Sequence, residues 1–157
     1  MDLVLHFFGT LEAVFSFFSV STNRWEVLVK HSGITVKRVS TTQFFSQWSA
    51  RYAAVKVMEE NFDEIIAAIE KLCDSRENSN NRGAAQNLLP ALLNFTFLCY
   101  LFFWSDVFRE VNCAQVTLQA KTLSLNESLI KLKTLRLYIF ENRIEIVERA
   151  IENAVKS

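Results

Sequence analysis

Between Leu88 and Trp104 the chain reads LLPALLNFTFLCYLFFW, a run in which only Pro90, Asn94 and Thr96 interrupt apolar or aromatic character. A helix that is apolar on every side is either the centre of a helical protein or a membrane span. At about 1.5 Å per residue the run gives a rod of roughly 26 Å, against a hydrocarbon core of about 30 Å. Directly after it come Asp106, Arg109 and Glu110, with Val107, Phe108 and Val111 among them. That is how a buried helix continues as an amphipathic one, and it places Asp106 with Arg109, or Glu110 with Arg109, to pair on one turn. The expectation is a long central helix that begins near Pro90, where the missing N–H costs nothing in a first turn, and ends before Leu123. Leu98, Leu101 and Phe102 should then be inaccessible. The alternative is a small membrane-anchored protein with a transmembrane helix at 88–104.

The rest of the chain also reads as helical. Three glycines and one proline are too few for the tight turns of an all-β protein, whereas long helices need hardly any. Phe7, Phe8, Leu11, Val14, Phe15 and Phe18 recur at steps of three and four, which pins a helix over Asp2 to Ser19 on one side. That segment opens with an acid and carries His6 and Glu12, so it reads as a helix of the fold rather than a signal peptide. Ser21, Thr22 or Asn23 can cap a second helix that ends at Ser32-Gly33. Gly33 to Thr42 is a connector, and Phe44 to Met58 is helical with Phe45, Trp48, Tyr52 and Val55 inward. Asn61 with Glu64 has the spacing of a capping box ahead of Phe62, Ile65, Ile66, Ile69, Leu72 and Cys73. Asp74 to Gly83 has no apolar residue and reads as a mobile loop.

Ser124 with Glu127 is a second capping box and opens one long final helix. Its apolar stripe runs Leu125, Leu129, Leu132, Leu135 and Ile139, then Phe140, Ile144, Val147, Ile151 and Val155. Glu127 with Lys131, Glu145 with Arg149, and Glu152 with Lys156 are outward pairs. The fold class is therefore all-α: an orthogonal or antiparallel bundle of about six helices over 1–157, a single domain ending in a long helical hairpin.

The function classes narrow by absence. Seventeen basic and seventeen acidic residues leave no net charge, so no global field draws the chain to nucleic acid or anionic membrane. Cys73, Cys99 and Cys113 are far apart in apolar helical patterns, which suits buried reduced thiols in an intracellular protein. No Cys-x-x-Cys occurs, and no phosphate loop, nucleophile elbow or metalloprotease pattern, so no catalytic residue, metal site or cofactor is expected. Lys131, Lys133 and Arg136 form a small basic cluster, readable as a phosphate contact or as a solvated face. Fourteen phenylalanines, with half the residues hydrophobic, exceed what one small core needs and point to an exposed apolar patch or a partner.

Four stretches in order carry a family resemblance: FFGTLEAVFSFFSVSTNRWEVLVKH, QWSARYAAVK, NFTFLCYLFFWSDVFREVN and LQAKTLSLNESLIKLK. Together they resemble the hAT-type transposase-derived proteins, in particular zinc-finger MYM-type and TTF-type zinc-finger proteins with a hAT dimerisation region. In that family a ribonuclease-H-like core is split by a large helical insertion, and three acidic residues hold catalytic metal ions. The resemblance implies that this chain is the insertion with its flanking helices. It also implies that the two catalytic Asp lie before the position matching Met1, and the catalytic Glu beyond that matching Ser157. It makes Trp48 a candidate for DNA handling, although Gln47 stands where the family has arginine, and a core aromatic is the other reading. The expected function is a catalytically inactive, nuclear or otherwise cytoplasmic module acting through a protein partner or self-association. Residual nucleic-acid contact would fall on Arg24, Trp48, Arg51, Lys131, Lys133 and Arg136.

Overall fold

In the computed structural model, residues 2–32, 48–74, 79–119 and 124–157 are described. They form eight helices and no strand: α1 Leu3–Ser19, α2 Thr22–Ser32, α3 Trp48–Glu60, α4 Phe62–Leu72, α5 Ser79–Leu92, α6 Phe95–Leu118, α7 Leu125–Glu141 and α8 Arg143–Lys156. The all-α class therefore holds among the described residues, with more and shorter helices than the periodicity suggested. The connector Gly33 to Thr42, and Phe45 with it, lie outside the described residues.

Two breaks account for the higher count. The apolar run is not one helix: α5 ends at Leu92, α6 begins at Phe95, and the two axes are bent by 70°. Asn94 makes the break, since its side-chain oxygen accepts from the Thr96 N–H at 2.8 Å and so caps α6. A cap of this kind contributes about 1 kcal/mol, and it out-competes continuation of the helix. Pro90 accordingly sits near the end of α5 rather than in a first turn. No single helix among the described residues is long and apolar enough to cross a membrane, so the alternative reading, a span at 88–104, does not form as one helix. The second break is Asn142, which separates α7 from α8 in what reads as one long helix; its side-chain amide donates to the Tyr138 carbonyl at 2.8 Å.

Other helix ends mix agreement with correction. The Ser124 capping box forms in full: the Glu127 N–H donates to Ser124 Oγ, and the Ser124 N–H donates to Glu127 Oε2 at 2.8 Å. Glu127 is thereby spent on the cap; the Ser124 hydroxyl, then its N–H, holds the Glu127 carboxyl below its ordinary range. The support from that cap is present above the ordinary carboxylate pKa and fades as pH falls through the lowered one. Asn61 does not cap α4, because its side-chain amide donates instead to the Val57 carbonyl at 2.8 Å and ties α4 to α3. Ser79 to Gly83, expected as loop, are the opening turns of α5, and 75–78 lie outside the described residues.

The core gathers around α1 and α6. Phe7, Phe8, Leu11, Val14, Phe15 and Phe18 are buried as the spacing required, and Phe17 widens the face. Phe7 meets Phe97 with ring centroids 5.1 Å apart, Phe8 meets Trp104 at 5.4 Å, and Trp104 stacks on Phe108 at 5.1 Å. Such offset and tilted contacts add to area burial because ring edges meet ring faces. α6 is the hub: α8 and α3 pack along it most extensively, with α1, α5 and α7 also in contact. Leu98 and Leu101 are buried as expected, whereas Phe102 is only half-buried.

Candidate functional site

Arg24, the first of the basic candidates, is committed to holding helices together. Its Nε and Nη2 donate to Asn81 Oδ1 at 3.1 and 2.7 Å, its Nη1 donates to the Phe17 carbonyl at 3.0 Å, and its guanidinium lies 4.2 Å from the Phe17 ring centroid. It thus joins α1, α2 and α5. Arg51 stacks on the Phe8 ring at 4.9 Å, a cation–π contact over the aromatic core. Lys131, Lys133 and Arg136 lie on α7, with Lys133 and Arg136 exposed and Lys131 half-buried. The Trp48 backbone opens α3, and its side chain lies outside the described residues. Arg24 and Arg51 are therefore engaged at separate helix junctions, and the α7 cluster stands on a different element.

A polar cleft of about 390 Å³ lies where α3, α6, α7 and α8 meet, lined by Glu59, Asp106, Arg109, Tyr138 and Arg149 among others. Asp106 is its centre: one carboxylate oxygen pairs with Arg109 at 3.1 Å, as the spacing predicts, and the other with Arg149 at 3.1 Å. Arg149 also reaches Glu145 at 2.8 Å, and the Ser105 hydroxyl donates to Glu59. Asp106 above all, with Tyr138 and Glu145, holds the Arg149 guanidinium above its ordinary pKa against the opposing cost of desolvation. Asp106 and Glu145 are answered by arginines and Glu59 by a hydroxyl, and the Asp106–Arg149 pair clamps α6 to α8. Among the described residues no group of three or more His, Cys, Asp or Glu is placed to hold a metal ion.

The cysteines depart from expectation. All are free, but Cys73 and Cys99 are half-buried and Cys113 is exposed. Burial raises the Cys73 and Cys99 thiols above their ordinary pKa, with Glu70 adding to the shift at Cys73.

The largest departure is on α7 and α8. Ile146, Ala150 and Ala154 form the face of α8 that is buried, and α7 has no buried residue. Small side chains let α8 approach α6 closely, and that contact wins over the face with the larger residues. Leu125, Leu129, Leu132 and Phe140 on α7, then Ile144, Val147, Ile151 and Val155 on α8, are left between 44% and 79% exposed. These are members of the stripe that the sequence marks for burial, turned outward. Beside it, Val147, Ala150 and Ile151 of α8 face Phe95, Cys99 and Phe103 of α6 across an apolar groove of about 460 Å³. Sequence reasoning found the stripe and missed both its exposure and the groove; the Ile146, Ala150, Ala154 spacing was the available signal. Comparison with known proteins finds no matching family model, curated protein or solved structure.

Proposed function

We propose that this chain is a catalytically inactive helical module that works by protein–protein association, with the outward stripe of α7 and α8 as its contact surface. The observation that carries the reading is that stripe, eight large apolar residues at helical spacing that stay between 44% and 79% exposed among the described residues, the Arg143 guanidinium lying 4.4 Å from the Phe140 ring. Scattered exposed apolar residues need no explanation, but eight exposed members of one ten-residue stripe over two consecutive helices do. The burial of α7 adds weight: a helix of 17 residues with no fully buried side chain gains little from its own fold, since in proteins most helical stability comes from packing of an apolar face. The resemblance to the helical insertion of hAT-type transposases accords with the all-helical fold, and the nuclear setting and the inactivity proposed here rest on that resemblance. Nucleic-acid contact is left to Trp48, Lys131, Lys133 and Arg136, since Arg24 and Arg51 are engaged elsewhere.

The test is a photo-crosslinking residue placed at Leu132 or, as a control, at the exposed Glu64 of α4, in chain expressed in cells. Discrete adducts from position 132 that are absent from position 64 are expected. Equal or absent crosslinking at the two positions refutes the reading, and metal-dependent DNA cleavage by the purified chain would refute its inactivity.

A further inference from the structure

We infer that the partner seated on α7 is a helix of another protein, apolar along its contact face and carrying carboxylates in the middle of that face. The inference rests on the association reading above and names the chemistry of the partner. What carries it is the position of two unpaired cations inside the exposed apolar face of α7.

Leu125, Leu129, Ile130, Leu132, Leu137 and Phe140 of α7 are between 48% and 79% exposed, while half-buried Lys131, Leu135, Tyr138 and Ile139 mark its inner side. Residues four apart are neighbours on a helix surface. Arg136 therefore stands one turn beyond Leu132 and one turn before Phe140, and Lys133 stands in the same way between Leu129 and Leu137. Both cations are exposed, and the ion pairs among the described residues leave both unpaired. The Arg143 guanidinium, 4.4 Å from the Phe140 ring, adds positive charge at the end of the same face. No acid of α7 answers them: Glu127 is held by the Ser124 cap, and the next acid is Glu141, in the last turn.

That placement discriminates between occupants. Whatever covers the face takes Lys133 and Arg136 out of water, and a buried cation is tolerated only when an opposite charge answers it. A helix lying in a membrane interface keeps its cations on the polar face, away from the acyl chains, whereas here they would be drawn into them. Phosphates of a nucleic acid would answer the cations but leave the leucines against a hydrated polyanion. The same face of a second copy would set Lys133 and Arg136 against their like. A helix whose apolar row is interrupted by Asp or Glu answers both requirements, because apolar side chains at steps of three and four form ridges that the grooves of another helix accept.

The experiment is fluorescence anisotropy of the purified chain with fluorescein-labelled helical peptides of roughly 20 residues. The peptides share a leucine face and differ only at two central positions of it, which carry Glu, Gln or Lys. The Glu peptide is expected to bind about tenfold or more tightly than the Gln peptide, and the Lys peptide more weakly than either. Added salt should narrow the difference. Lys133→Glu/Arg136→Glu should reverse the order and bind the Lys peptide best, which a misfolded chain would not do. In cells the Leu132 crosslinks should be lost in that variant and kept in Lys133→Arg/Arg136→Lys. Equal binding of the peptides, no binding of any, or an order unchanged by the charge reversal overturns the proposal. So does tighter binding to phosphatidylserine vesicles or duplex DNA than to the Glu peptide, or a dimer of the purified chain that the Glu peptide does not dissociate. If Leu132 still gives discrete adducts in cells after the charge reversal, the association reading stands and the acidic helix is excluded as the partner.

Discussion

Leu101→Ala should lower the stability of the folded chain by about 2 to 5 kcal/mol, because truncating a buried leucine loses its transfer free energy and leaves a cavity that neighbours fill only in part. Leu101 has no accessible surface, and it lies on α6, the helix against which α1, α3, α5, α7 and α8 all pack. A site touched from several elements has little freedom to collapse. For a chain of this length each kcal/mol moves the thermal midpoint by roughly 2 to 4 °C, so a drop of several degrees is expected in a cooperative melt. Leu101→Asp should not fold, since the carboxylate would have neither water nor partner. A shift below about 1 °C for the alanine variant would show that α6 is not the core helix.

Phe8→Ala should cost about 3 to 5 kcal/mol, for a reason visible in the rings around it. Phe8 contacts Phe7 at 5.0 Å, Trp104 at 5.4 Å and Phe108 at 6.2 Å, and it carries the Arg51 guanidinium on its outer side at 4.9 Å. Removing the ring opens the joint between α1 and α6 and strands the cation above it. Arg51→Ala removes only the cation–π contact, worth about 0.5 to 2 kcal/mol, so it should be the milder change by a clear margin. Denaturant titration reads both: the midpoints should fall in that order at unchanged slope. A Phe8→Ala midpoint no lower than that of Arg51→Ala would contradict the aromatic joint.

Local signals were legible wherever one interaction decided the outcome. The α1 face, the Ser124 capping box and the Asp106–Arg109 pair all follow from spacing within a single turn or two. What escaped was competition between two legible signals. Asn94 is both a tolerable helix interior residue and a good cap, and the cap prevails, dividing a run that hydropathy alone reads as one rod. Asn61 shows the converse: its spacing to Glu64 suits a capping box, yet the side chain bonds backwards to Val57. On α8 the periodicity offers two faces, Ile144, Val147, Ile151, Val155 or Ile146, Ala150, Ala154. Hydrophobicity favours the first, but close approach to α6 favours the second. The candidate site became visible only through that reversal: the Ile146, Ala150, Ala154 spacing signals a second apolar face, but not that another element will cover it in preference to the first. The engagement of Arg24 escaped for a similar reason. Nothing local to Arg24 announces that Asn81, far along the chain, will take two of its N–H groups.

The central claim, that the α7–α8 stripe is an outer contact surface on an independently folded chain, is tested most directly by Leu129→Glu combined with Ile151→Glu. Both positions are nearly half-exposed, at 48% and 45%, so the added carboxylates can stay in water. The account predicts a thermal midpoint within about 2 °C of wild type when both are compared at concentrations too low for association, together with loss of the Leu132 crosslinks. Loss of the cooperative melt, as expected for Leu101→Asp, would instead place the stripe inside the fold and contradict the account.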